Sequence, residues 1–386
     1  MRIYLDNAAT SWPKPEAVYA AVDRYQREIG IAAGRGGYND AVAAARIVDA
    51  ARREIAALIG GRNPQHVVFA SNGTDALNLA IHGTLRPGDH VVASVCDHNS
   101  VLRPLAEQSR TRDVTVTYVG CDSQGYLDPD EVRRAIRPET RMVIINHASN
   151  VTGAIQPLAE IAAAVKGCDK LLMVDASQSA GHAPINVTEL GIDLIAGSGH
   201  KGLLGPAATG FLYIREGIEH VQPIRQGGTG VESQLDRQPD ELPTRYESGS
   251  LNGPGLAGLA AAATFLREQT VEAVARHELS MVTRLWERLS AMPAIKLYGP
   301  APSPVRGPVV SFSIEGYDPQ EFAAALDSAR GIQCRAGLHC APKMHEALGT
   351  LEQGGLVRMS VGWATTDEEI DATLETVEAI AGVGSF

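Results

Sequence analysis

Between residues 66 and 214 the chain repeats one pattern seven times: four to six mostly apolar residues, then a small or polar cluster. The runs are 66–70, 90–95, 114–119, 142–146, 171–174, 193–196 and 210–214. Each is too short for a helix and rich in Val, Ile and Leu, which predicts a strand. Helical spacing lies between several of them, at 74–82 and 158–166, and ahead of them at 42–59, where Gly60-Gly61 stops the helix. Strands alternating with helices predict an α/β unit with a mainly parallel, seven-stranded sheet. Functional residues of such a sheet gather where strands end and helices begin.

The pattern then breaks. Residues 222–255 hold Gly227-Gly228, Pro239, Pro243, Gly249, Gly253, Pro254 and Gly255, a loop-forming composition. An Ala-rich helix is expected from about Pro254-Gly255, then two helical stretches, a strand at 309–314 and a helix at 319–329. The expected division is a large α/β domain at 15–255 and a smaller α+β domain at 256–386, with residues 1–14 packing near the latter. No internal repeat is apparent.

Charge and cysteine usage exclude several classes of function. The net charge of -11, without a basic run, argues against a partner with a phosphate backbone, and no nucleic acid is expected. The start of the chain lacks the apolar stretch of a signal peptide. The longest nearly apolar run, 256–266, is too short to span a bilayer, so no membrane partner is expected and the location is taken as cytoplasmic. The 5 cysteines, Cys96, Cys121, Cys168, Cys334 and Cys340, are odd in number and lack ligand spacing, which predicts neither a disulfide framework nor a metal site.

The chemistry is concentrated after two strands. The run 171–174 leads into Asp175, and the run 193–196 leads into Gly197-Ser198-Gly199-His200-Lys201. Lys201 is flanked by Leu194-Ile195-Ala196 and Gly202-Leu203-Leu204-Gly205-Pro206. An ammonium in such surroundings has a lowered pKa and becomes a nucleophilic amine. Such an amine forms a Schiff base with an aldehyde. An acid one strand away suits the pyridinium nitrogen of pyridoxal 5'-phosphate. Asp175 also reads as a cap for the turn that follows it.

Other residues fit the same guest. Gly73 and Thr74, in Ser71-Asn72-Gly73-Thr74, open a helix whose free N–H groups favour an anion, with Thr74 as the expected cap. Ser198 and His200 could add phosphate contacts. His98 could stack on the ring, and Asn150 and Gln178 could donate to a ring oxygen. Cys340 lies in Arg335-Ala336-Gly337-Leu338-His339-Cys340-Ala341-Pro342, where Arg335 and His339 are the expected cationic companions of a reactive thiol. Cys96, Cys121 and Cys168 have no such companions nearby in sequence and read as inert. Arg358 is either a solvated outer-face residue or a bidentate clamp for a carboxylate.

Together these segments resemble one family. Asp175-Ala-Ser-Gln178, Ser198-Gly-His-Lys201 and Arg335-Ala-Gly-Leu-His-Cys340-Ala are similar to the cysteine desulfurases of the class V aminotransferase superfamily. So are Tyr4-Leu5-Asp6-Asn7-Ala8-Ala9-Thr10, His98-Asn99-Ser100-Val101-Leu102-Arg103-Pro104 and Glu247-Ser248-Gly249-Ser250-Leu251-Asn252. The resemblance runs from about residue 3 to about 375, and the short cysteine loop points to the type II desulfurase and selenocysteine lyase branch.

It implies a fold type I pyridoxal-phosphate enzyme that takes L-cysteine, or L-selenocysteine. By that resemblance Lys201 carries the cofactor and moves the Cα proton, Asp175 pairs with the ring nitrogen, and His98 stacks on the ring. Asn150 and Gln178 address the phenolic oxygen, with Gly73, Thr74, Ser198 and His200 on the phosphate. Ser250 reaches the phosphate of a neighbouring subunit, which implies a homodimer. Arg358 binds the substrate carboxylate. Cys340 takes the sulfur as a persulfide, leaving alanine, and passes it to an acceptor protein. Leu338 stands where the type II loop often has His, and Ser250 where Thr is common. The competing readings are a selenocysteine lyase, a class V aminotransferase or other amino-acid lyase with Cys340 a bystander, and a non-catalytic sulfur-trafficking scaffold.

Overall fold

The computed structural model describes residues 2–34, 36–218 and 221–383. Its strands are β1 (Ile3–Tyr4), β2 (Val67–Ala70), β3 (His90–Ser94), β4 (Thr115–Val119), β5 (Thr140–Asn146), β6 (Leu171–Asp175), β7 (Leu194–Ser198), β8 (Gly210–Ile214), β9 (Ile295–Tyr298), β10 (Val309–Ile314), β11 (Ile332–Gln333), β12 (Arg335–Gly337) and β13 (Leu356–Ser360). Its α-helices are α1 (Glu16–Arg24), α2 (Asn39–Leu58), α3 (Gly73–Thr84), α4 (Asn99–Arg112), α5 (Pro129–Ala135), α6 (Leu158–Lys166), α7 (Val187–Leu190), α8 (Gly253–Gln269), α9 (Val271–Ser290), α10 (Pro319–Arg330), α11 (Pro342–Ala347) and α12 (Asp367–Val383).

The seven apolar runs form one 7-stranded sheet in the order β2-β8-β7-β6-β5-β3-β4. The five strands from β7 to β4 are parallel, and β8 runs antiparallel to both its neighbours. Both faces are covered, which explains why the runs are nearly continuous in apolar residues rather than alternating. Along β5, Val143 and Ile145 enter one buried cluster while Met142 and Ile144 enter another on the opposite face. Every run lies within two residues of its observed strand at each end.

The rest of the chain builds a 4-stranded antiparallel sheet, β12-β13-β10-β9, over its own apolar cluster of Val310, Phe312, Phe322, Leu326 and Met359. The N-terminal segment joins this layer. β1 pairs in parallel with β11, and Ile3 and Leu5 are buried in the same cluster. Residues 221–252 hold neither helix nor strand among the described residues, as their glycines and prolines require. No described helix is long and apolar enough to cross a membrane.

Candidate active site

Four parallel strands end side by side, and the polar residues just past those ends converge. β3 leads to His98, β5 to Asn150, β6 ends on Asp175, and β7 ends on Ser198, three residues before Lys201. These are the crevice positions at which an open α/β sheet binds its ligand.

Lys201 is half-buried, and its amine is lowered to about 8. Burial is the main cause, the carboxylate of Asp175 opposes it, and the guanidinium groups of Arg358 and Arg335 add to it. The turn that carries Lys201 is clamped from outside the sheet. The carbonyl of His200 accepts from Ser11 N at 3.0 Å, Thr10 Oγ1 at 3.1 Å and Lys14 Nζ at 2.9 Å. Ser11 Oγ donates to the carbonyl of Lys201 itself at 2.9 Å. Of these, Thr10 closes the family-like N-terminal segment, whereas Ser11 and Lys14 carried no signal in the sequence. They lie roughly 190 positions away, so no local pattern announces them.

Asp175 is buried, and its Oδ1 accepts from Ser177 N at 2.9 Å, so it does cap its turn. Gly73 begins α3 with its N–H donated to Ser198 Oγ at 3.2 Å. A Cβ there would come within 2.5 Å of Ser177 Oγ and 2.6 Å of Ser198 Oγ. Only glycine leaves that hydroxyl-lined cradle open at the helix N-terminus. One expectation is corrected here. Asn72, not Thr74, caps α3, because its Oδ1 accepts from Asp75 N at 2.9 Å. Thr74 lies inside the first turn, with Oγ1 2.6 Å from Ser100 Oγ.

His98 Nδ1 accepts from Ser100 N at 3.0 Å, which leaves the ring proton on Nε2. Burial, then the charge of Lys201, pushes His98 down to about 4, and burial does the same to His200. Both rings are therefore neutral at pH 7. Beneath His98, the Asp97 carboxyl is fully buried and is raised to about 7 by burial. Gln178 Nε2 donates to Ala8 O at 2.9 Å. Ser250 lies exposed in the loop-rich segment, and no hydrogen bond joins it to these residues.

Opposite the sheet ends stands the cysteine loop. Cys340 and His339 both adopt left-handed backbone, with φ 58 and 48. Two adjacent non-glycine residues in that region cost of order 1–3 kcal/mol each, so the surroundings must hold them. They do: Ala341 N donates to Leu338 O at 2.9 Å, Asn99 N to Cys340 O at 2.8 Å, and Asn150 Nδ2 to His339 O at 2.6 Å. Asn150 thus gives one amide N–H to the loop, and its Oδ1 is buried without a partner.

Arg335 Nη2 lies 3.5 Å from Cys340 Sγ. His339 supplies no charge. It is 2% exposed, stacked on His345, and burial drives its pKa well below the usual histidine value. Of the two cationic companions expected for the thiol, only Arg335 is one.

Arg358 is 1% exposed, which removes the outer-face reading. It faces Arg335 directly across the β12–β13 pair. Its Nη2 donates to Asp6 Oδ1 at 2.7 Å and its Nη1 to Asn150 O at 3.1 Å, while Nε is buried without a partner. Two guanidinium groups side by side, one with an unused N–H, form a site for an anionic guest. The residues fit pyridoxal phosphate: a hydroxyl-lined cradle at a helix start, a buried acid, and a low-pKa amine between them.

Comparison with known proteins agrees with this geometry. A probable cysteine desulfurase of Methanothermobacter thermautotrophicus is 35% identical, over 99% of this chain and 95% of that protein. A probable cysteine desulfurase of Halalkalibacterium halodurans is 34% identical, over 97% and 92%. The apo structure of cysteine desulfurase from Thermococcus onnurineus NA1 superposes with a TM-score of 0.92 at 31% identity, covering 99% of this chain and 95% of that one. The family described as aminotransferase class-V matches residues 3–373, nearly the whole chain. With that match and the superposition, the chain belongs to the class-V aminotransferase family, which is pyridoxal-phosphate dependent and of type I fold.

Proposed function

We infer that the chain is a pyridoxal-phosphate-dependent cysteine desulfurase that converts L-cysteine to L-alanine and leaves the sulfur as a persulfide on Cys340. The observation that carries this reading is the attachment of the cysteine loop to the cofactor cradle. Cys340 O is bonded to Asn99 N, one residue after His98, and His339 O to Asn150 Nδ2. A thiol so placed, with a guanidinium at 3.5 Å, is positioned for attack rather than stored in a turn.

The cofactor, when bound, supplies an aldehyde that captures the substrate amine and a cationic ring that takes up electrons. Asp175 would pair with the ring nitrogen and keep it protonated, and His98 would stack on the ring. Gly73, Thr74, Ser198 and His200 would hold the phosphate, and Asn150 and Gln178 would address the phenolic oxygen, each with the second N–H of an amide whose first goes to His339 O or Ala8 O. Arg358 binds the substrate carboxylate through its free Nε–H. Lys201 Nζ receives the Cα proton. The Cys340 thiolate then bonds to the substrate sulfur, the C–S bond breaks, and protonation of the remaining three-carbon fragment gives alanine.

Further parts of the reading are the two-domain division at residue 255, a homodimer that brings Ser250 to the neighbouring phosphate, and a sulfur-acceptor protein. Exposed Ile224, Val231 and Leu235 in the same loop-rich segment support the dimer.

The test is a visible spectrum before and after L-cysteine, with alanine measured in the same tube. Alanine in amounts that match the sulfur released is expected. Cys340→Ser keeps the cofactor band and loses sulfur release from cysteine. Keto acid in place of alanine, or full activity in Cys340→Ser, would sink the reading. The same variant assayed on L-selenocysteine separates a lyase, which need not use the thiol.

A further inference from the structure

Cys96 and Cys121 lie outside the catalytic set, and sheet register makes them neighbours. β3 and β4 pair in parallel up to Ser94↔Val119, and the pairing continues with Val95 N donating to Val119 O at 3.0 Å. Each cysteine follows two residues after the last paired position. The last paired positions stand one strand spacing apart, about 4.7–4.9 Å, each two residues from its cysteine, and a disulfide spans a Cα separation of about 4.4–6.8 Å. Cys121 packs against the buried cluster that contains Cys96.

The pair is asymmetric. Cys96 is 1% exposed, and its Sγ lies 3.6 Å from Gly125 O and 3.9 Å from Gln156 Nε2. Cys121 is half-exposed, so a small oxidant reaches the pair from that side. The accessible Cys121 is therefore the thiol that meets an oxidant first, and the buried Cys96 is the resolving thiol.

The pair also has a lever on the active site. Cys96 is two residues from His98. The backbone between them is tightly tied, with Asn146 Nδ2 on Cys96 O at 2.8 Å and Asp97 N on Ser94 O at 3.3 Å. One residue further on, Asn99 N holds the carbonyl of Cys340.

We propose that Cys96 and Cys121 form a reversible dithiol–disulfide site, closed by hydroperoxides, whose closure displaces the His98 loop against the cofactor. The Cys121 thiolate attacks a peroxide oxygen. The O–O bond breaks, the leaving oxygen takes a proton, and Cys121 becomes a sulfenic acid. The Cys96 sulfur then bonds to the Cys121 sulfur, the S–O bond breaks, and the hydroxide leaves as water with the Cys96 proton. Two thiols give up two electrons, and one hydrogen peroxide becomes two waters. To reach its partner, the Cys96 sulfur gives up Gly125 O, and the strain falls on the residues that lead to His98.

The experiment uses the Cys340→Ser holoenzyme, so that no change can arise at residue 340. After hydrogen peroxide, unreduced peptide mapping yields the 96–121 cross-linked peptide, and dithiothreitol releases it. The visible cofactor band shifts on oxidation and returns on reduction. Adding Cys121→Ser abolishes both the cross-link and the shift, and Cys96→Ala does the same from the buried side. No 96–121 cross-link, a cross-link that leaves the band unmoved, or an equal shift in the Cys121→Ser protein would each overturn the proposal.

Discussion

Lys201 in the apoprotein titrates near pH 8, and the carboxylate of Asp175 keeps it from falling lower. An ordinary lysine, at 10.4 or so, is neutral in about one molecule in a thousand at pH 7.5. An amine at about 8 is neutral in about one molecule in four at the same pH, a gain of roughly 200-fold in the nucleophilic form. The sign follows from which state holds the proton: burial disfavours the ammonium, so reactivity rises as pH climbs through 8 rather than through the ordinary lysine range.

Competitive acetylation with acetic anhydride, read by peptide mapping across the alkaline range, measures this without turnover. Lys14 is the internal control. It is also lowered to about 8, by burial alone, and it lies on the far side of the Lys201 turn. Asp175→Asn removes a charge that acts on Lys201 and is absent from the causes acting on Lys14. The Lys201 midpoint therefore moves down and the Lys14 midpoint stays. Arg335→Ala moves Lys201 the other way. A Lys201 midpoint above 10 in the native apoprotein would refute the burial argument. An upward or absent shift in Asp175→Asn would refute the electrostatic one.

Gly73→Ala forces a methyl into the cradle between Ser177 and Ser198. Overpacking of about 1–3 kcal/mol should weaken cofactor binding by roughly 5–150-fold in a titration of the apoprotein, despite the better helix propensity of alanine. Unchanged affinity would remove the cradle from the phosphate site. Arg52→Ala leaves buried Glu247 without the guanidinium that donates to its Oε1 at 2.7 Å, so a loss of about 3–5 kcal/mol in urea unfolding is expected. Replacing both partners by apolar residues of similar volume should recover most of that loss. Asp6→Ala frees Arg358 from its carboxylate partner, and a charged hydrogen bond is worth about 1.5–3 kcal/mol. KM for L-cysteine should rise roughly tenfold or more, with a smaller change in cofactor affinity.

The sheet was legible because it is buried on both faces. β8 and β10, and the helix α6, are read to the residue from apolar runs and spacing alone. Asp175 and Lys201 were legible because a charge at the end of a buried strand, or in the small-residue turn just past one, has few other uses. α4 was not read: its surface is polar and Pro104 sits inside it, so the sequence looks like a loop while the fold supplies the packing on Leu105 and Val101. The clamp on the Lys201 turn, the Asp6–Arg358 pair and the Cys96–Cys121 contact depend on register and on segments far apart in sequence. Cys121 reads as inert until β4 is laid beside β3. His339 misled in the opposite sense. Its position beside the thiol suggested a cation, and only the burial of the folded loop makes it neutral.

Histidine contributes no charge to the site at pH 7 although the site is lined with it; the groups that titrate near neutrality are Asp97, at about 7, and Lys201, at about 8. Burial pushes His98 and His200 down to about 4 and His339 well below its ordinary value, so all three are neutral at pH 7. The permanent cations are Arg335 and Arg358, which face each other across two strands at a cost in repulsion. Asp6 compensates Arg358 and leaves its Nε free, while Arg335 turns to the Cys340 sulfur. The pair therefore offers two places for negative charge, one beside the thiol and one on an unused N–H. An amino acid that brings a carboxylate and presents its sulfur to a thiolate fills both at once. A substrate without the carboxylate leaves Arg358 Nε unpartnered and buried. Cysteamine should therefore react far more slowly than L-cysteine in the wild-type enzyme, and Arg358→Ala should erase most of that preference by slowing only the cysteine reaction.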